Sequence, residues 1–106
     1  MSSNREPTLV CDLTAIPTEA RAAHAAASDA LFGAVLEKQE LEHGYAFRLP
    51  ADSTVLAQAA TFIANERLCC PFFRFQLDVQ PGGMCWLTLT GPDGVKDLLG
   101  GLASDH

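Results

Sequence analysis

The spacing of apolar side chains changes period repeatedly along these 106 residues, and that change constrains the fold more than any other feature. A period of 2 marks a half-buried strand, and a period near 3.6 marks a helix with one buried face. Leu9, Cys11 and Leu13 alternate with Val10 and Asp12, predicting a strand over Thr8–Leu13. Pro17 then fits the first position of a helix, with Glu19 near its positive end. Alanine is abundant from Ala20 to Ala34 and favours helix, with Gly33 marking its end. The expected apolar stripe is Ala20, Ala23, Ala27, Ala30, Leu31 and Ala34. His24 lies on the same turn as Ala20 and Ala27, and reads as a partly exposed helix histidine rather than a ligand.

Val35–Glu42 and Tyr45–Leu49 read as strands around a His43-Gly44 turn, with Tyr45, Phe47 and Leu49 sharing a face. Asp52 or Ser53 can cap a second helix, running from about Thr54 to Cys69 or Cys70. Pro71 stops it, because the residue before a proline avoids the helical region. Its inward face is Val55, Leu56, Ala59, Ala60, Phe62 and Ile63. Phe72–Val79 and Met84–Thr90 alternate as strands around Pro81-Gly82-Gly83. Gly91-Pro92-Asp93 opens a last helix whose Val95, Leu98, Leu99 and Leu102 fall at helical spacing.

The expected order is therefore βαββαββα. Hairpins joined by helices imply an α+β fold, an antiparallel sheet with helices packed on one face. The first six elements match a ferredoxin-like order. Residues 1–7 are polar and expected to be loose, with a single domain over residues 8–103.

The formal net charge is −6, from 13 acids against 7 bases, and the bases are scattered singly. Nucleic-acid binders need a clustered basic face, so that class is disfavoured. No apolar run reaches the roughly 18–20 residues that cross a bilayer, which argues against a membrane role. The first residues carry no apolar export signal, which makes the cytoplasm the expected compartment. Cys11, Cys69, Cys70 and Cys85 are then expected as reduced thiols, and no C-x-x-C spacing occurs.

Chemistry concentrates in Asn65-Glu66-Arg67-Leu68-Cys69-Cys70-Pro71-Phe72-Phe73. Glu66 and Cys70 continue the apolar line of the second helix, while Arg67 and Cys69 lie at its edges. A carboxylate on a buried line needs a partner or water, and the helix C-terminus disfavours its charge. Such local conflict is what functional sites show, although a solvated Glu66, or one paired with an arginine, would be the plain structural alternative. A disulfide between neighbouring cysteines closes a strained ring. Two soft thiolates side by side can instead hold Zn(II), Cu(I), Hg(II) or As(III). Periodicity makes Cys70 the packed thiol and Cys69 the accessible one. Cys11 and Cys85 alternate with leucines and read as core, with the option of converging on Cys70 beneath the helix.

The run Glu66-Arg67-Leu68-Cys69-Cys70-Pro71-Phe72-Phe73-Arg74-Phe75 is followed by Trp86-Leu87-Thr88-Leu89-Thr90-Gly91-Pro92-Asp93-Gly94. Together they resemble a family of small uncharacterised bacterial proteins sharing E-R-x-C-C-P-F-φ-x-F and W-L-x-L-T-G-P-x-G. The resemblance spans roughly residues 35–100. It implies an encoding neighbourhood of heavy-metal-responsive regulators of the mercury type, and carries over the positions Glu66, Arg67, Cys69 and Cys70 but no activity.

The leading expectation is a small protein that binds a soft metal or metalloid ion through Cys69, Cys70 and Glu66, with Arg67 tuning the site. The alternative is an interaction or regulatory module that forms a homodimer through a sheet face bearing Phe72 and Trp86. A third reading, an enzyme with Cys69 as nucleophile, needs His24 or His43 to arrive through the fold.

Overall fold

The structure is a computed structural model that describes residues 12–97. The loose segment 1–7, most of the strand over Thr8–Leu13, and Leu98, Leu99 and Leu102 of the last helix lie outside the described residues. Where the first strand was expected to finish, Leu13–Ala15 instead form a 3-10 turn. The Asp12 carboxylate accepts from the Thr14 N–H and so caps the turn. Aspartate competes locally for backbone donors in this way, which diverts the chain from an extended path.

Two helices and two hairpins follow. Helix α1 spans Thr18–Gly33 and α2 spans Ser53–Cys69. Strands β1 (Glu37–Leu41) and β2 (Gly44–Pro50) form one hairpin, and β3 (Arg74–Gln80) and β4 (Met84–Thr90) form the other. The sheet has the order β1-β2-β4-β3 with every neighbouring pair antiparallel. The α+β class and the antiparallel sheet hold, with four strands among the described residues. Among the described residues the sheet is two hairpins laid side by side through β2 and β4, not the full ferredoxin-like order.

Local chemistry explains most boundaries. Pro17 is the N-cap of α1 and not its first residue. Asp52 caps α2 by accepting the Val55 N–H at 3.0 Å, and α2 ends at Cys69, one residue before Cys70-Pro71. The first hairpin turns through Glu42-His43, one residue earlier than expected, so that Leu41 faces Gly44. Gly44 belongs to β2, where a Cβ would lie 1.9 Å from the Leu89 carbonyl oxygen. Only glycine lets β2 and β4 approach there. Phe72 and Phe73 sit in the turn before β3, which starts at Arg74.

The core lies between the helices and one sheet face. Phe47, Leu49, Cys85, Leu87 and Leu89 from the sheet meet Leu31 and Phe32 of α1 and Val55, Ala59 and Phe62 of α2. Phe62 is the hub: its ring makes edge contacts with Phe32 at 5.4 Å and Phe75 at 6.2 Å. The buried line of α1 is His24, Ala27 and Leu31, with Phe32 beside it, and Ala23 and Ala30 are exposed. The stripe is thus rotated from the alanine reading, because the bulkier Leu31 and Phe32 claim the core. Ala60 of α2 is likewise exposed.

The opposite sheet face carries Arg48, Trp86 and Asp78 side by side. The expected exposed Phe72–Trp86 pair does not form. Phe72 turns inward and packs with Phe73 at 4.8 Å between the main core and a second small cluster.

Candidate functional site

That second cluster is the site. It forms where the last turn of α2 meets the chain entering α1, and its buried members are Ile16, Cys69 and Cys70. Ala20, Leu68, Phe72 and Phe73 complete it. The backbone fastens the two segments, since the Asp12 N–H donates to the Cys69 carbonyl at 2.9 Å. The final turn of α2 closes with the Cys70 N–H on the Glu66 carbonyl at 2.7 Å. This bond stacks Glu66 directly over Cys70, as i and i+4 positions of a helix must.

Glu66 is the centre of the arrangement. One carboxylate oxygen, Oε1, lies 2.8 Å from His24 Nε2, and the other, Oε2, lies 3.2 Å from Cys70 Sγ. The two sulfurs are 3.7 Å apart. A carboxylate oxygen and both sulfurs therefore fall within 4.8 Å of one another. This resolves the conflict that periodicity exposed: a largely buried carboxylate has a histidine partner on the neighbouring helix.

His24 is the residue that sequence reasoning placed wrongly. It is buried, its ring stacks on Phe62 at 5.8 Å, and it joins the site to the core. The signal was present, because His24 is four residues from Ala20 and seven from Leu31, along the line that α1 buries. Alanine abundance hid it. His24 Nδ1 is buried without a hydrogen-bond partner among the described residues. His43 stays a turn residue on the surface.

The cysteines separate into two states. Cys69 and Cys85 are free thiols, and Cys70 is disulfide-bonded, so the expectation of uniformly reduced cysteines fails at Cys70. Cys69 is buried, not accessible: only 3% of its surface is exposed, because the turn before α1 covers the edge it occupies. Its burial pushes the thiol pKa up, the Glu66 charge adds to that, and the Asp12 backbone N–H opposes it. A nucleophilic cysteine needs the reverse, a lowered pKa and an open approach. His24 does arrive through the fold, but its Nε2 is held by Glu66. Cys85 lies in the main core, where burial first and the Asp78 charge second raise its pKa.

Glu66, Cys69 and Cys70 are thus brought together, as expected. Arg67 is not: it is exposed and makes no ion pair or side-chain hydrogen bond among the described residues. Among the described residues no helix is long and apolar enough to cross a membrane. Set beside family models, curated proteins and solved structures, the chain finds no match in any of the three.

Proposed function

We propose that the reduced protein binds a soft metal or metalloid ion at Glu66, Cys69 and Cys70. The observation that supports this is the convergence of one oxygen and two sulfur ligand atoms within 4.8 Å, in a cluster packed with Ile16, Phe72 and Phe73. A thiolate pair with one carboxylate suits Zn(II), Cu(I), Hg(II) or As(III), and disfavours hard ions such as Mg(II) or Ca(II). Burial that disfavours a bare thiolate turns into an advantage when a cation arrives, since binding then releases the thiol protons. His24 would hold Glu66 in its ligating rotamer, as second partners of metal ligands commonly do. Arg67 is left outside the ligand set. The resemblance of the motif to proteins encoded near mercury-type regulators points the same way.

The test is direct. Reduced wild-type protein should take up near-stoichiometric Zn(II) or As(III), measured by elemental analysis after desalting. A Cys69→Ser, Cys70→Ser double variant should take up almost none. Equal uptake by the two proteins would end this reading.

The homodimer reading now depends on Trp86 alone. Trp86 is half-buried on the sheet face away from both helices, between Arg48 and Asp78. Sedimentation at high concentration decides it: a monomer with unchanged Trp86 fluorescence across the range would remove the dimer.

A further inference from the structure

We propose that β3 docks a second copy of this chain, the two strands running antiparallel about Gln76 so that Arg74 of each copy meets Asp78 of the other. This edge owes nothing to the metal reading, and its contact is strand to strand rather than face to face across Trp86. The sheet order β1-β2-β4-β3 leaves two edges among the described residues, and they differ. An edge strand offers a row of N–H and C=O groups, which proteins blunt with charges, lysine, proline or bulges. β1 is blunted in this way. Its Glu37 holds Arg48, its Glu40 holds Lys96, and its Lys38 lies over the Tyr45 ring. β3 carries no lysine or proline, and it pairs with β4 residue for residue without a bulge. Its core-side residues are Phe75, Leu77 and Val79, the first two half-buried and Val79 51% exposed. The core therefore runs open at this edge.

The charges on β3 say what covers it. Arg74 and Asp78 share the face away from the helices, and neither has an ion pair among the described residues. Within one strand they cannot meet, because four residues at about 3.3 Å each hold them about 13 Å apart. A second β3 running antiparallel removes that separation. With Gln76 on the two-fold axis, Arg74 faces the partner's Asp78, Phe75 faces the partner's Leu77, and Gln76 faces its own copy. The strand is thus self-complementary, as a two-fold interface requires. Side chains two residues apart stay on one face, so both Arg74–Asp78 pairs lie on the outer face. Both Phe75–Leu77 pairs lie on the core side and carry the core across the join, with facing Cβ atoms about 4.5–5.5 Å apart. The two sheets become one, with β3 paired on both sides.

The experiment uses the full chain. Sedimentation equilibrium should show monomer and dimer in exchange below millimolar concentration. Asp78→Arg sets like charges opposite each other at two symmetric places and should weaken the dimer about ten-fold or more. The double variant Arg74→Asp, Asp78→Arg restores opposite charges and should return the wild-type dissociation constant. Register is read separately with diamide, which oxidises two thiols to a disulfide. Gln76→Cys faces its own copy at a Cα separation of about 4.5–5.5 Å, inside the range a disulfide spans, and should cross-link. Asp78→Cys lies four residues from its copy and should cross-link no more than wild type. A chain that stays monomeric to millimolar concentration would overturn the docking edge. So would a folded double variant that fails to restore the dimer, or cross-linking of Asp78→Cys in place of Gln76→Cys. A dimer lost in Trp86→Thr but kept in Asp78→Arg would assign the contact to the sheet face and overturn it too. If Asp78→Arg does not fold by circular dichroism, the two cysteine variants still decide.

Discussion

Glu66 faces two ways, toward His24 at 2.8 Å and toward Cys70 at 3.2 Å, so substitutions of its neighbours have separable effects. His24→Ala removes a nearly buried partner and leaves the carboxylate unsatisfied, which should cost about 1–3 kcal/mol of stability in urea unfolding. If His24 positions Glu66 for an ion, the same variant should also weaken Zn(II) or As(III) binding by about 10-fold or more. The thiols make a different prediction. Cys69 has a pKa raised mainly by burial, so the folded state holds its proton more tightly than the unfolded state. That stability is fully present below the unfolded thiol pKa, about 8.5, and is lost as pH rises through and beyond it. Wild type should therefore lose more stability than Cys69→Ala between neutral and alkaline pH. In the native protein at neutral pH, Cys69 and Cys85 should alkylate slowly, which mass spectrometry can follow. Fast, selective modification of Cys69 would revive the nucleophile.

At the scale of elements, α2 carries the site at one end and its own start signal at the other. The Asp52 carboxylate satisfies the Val55 N–H, and Asp52→Ala should cost about 1 kcal/mol, read from the denaturation midpoint. The junction of the two hairpins is less forgiving. Gly44→Ala would drive a methyl group into the Leu89 carbonyl, so β2 and β4 must separate or the turn must shift. Overpacking of this kind costs about 1–3 kcal/mol, and more where backbone is the obstacle. A Gly44→Ala protein of wild-type stability would show that the pairing of β2 with β4 has slack. Between these sits Phe62, which touches His24 on one side and Phe32 and Phe75 on the other. The metal reading therefore predicts that core and site are mechanically joined through one ring.

For the whole molecule, the two segments that build the site are far apart in sequence, and their meeting is part of folding. An ion that binds only the folded, reduced chain must stabilise it by mass action. At free ion one hundred times the dissociation constant, the gain is about 2.7 kcal/mol. Thermal unfolding of reduced protein should shift upward with added As(III), and the Cys69→Ser, Cys70→Ser variant should not shift. No shift in either would weigh against the site.

The four described strands, α1, α2 and the stop at Pro71 were legible because each rests on local rules: period, capping and the proline restriction. Glu66 and the two cysteines were legible for the same reason, since i and i+4 on one helix are neighbours in any fold. The burial of Cys69, the inward turn of Phe72 and the rotation of α1 that buries His24 were not. Each depends on a segment distant in sequence, the chain around Asp12–Ile16 or the facing helix, whose position no local pattern encodes. Local helix geometry alone sets where the carboxylate and thiols sit on α2. That a histidine holds that carboxylate and that the turn before α1 covers the thiols comes from packing between distant segments, because burial is a property of two surfaces meeting.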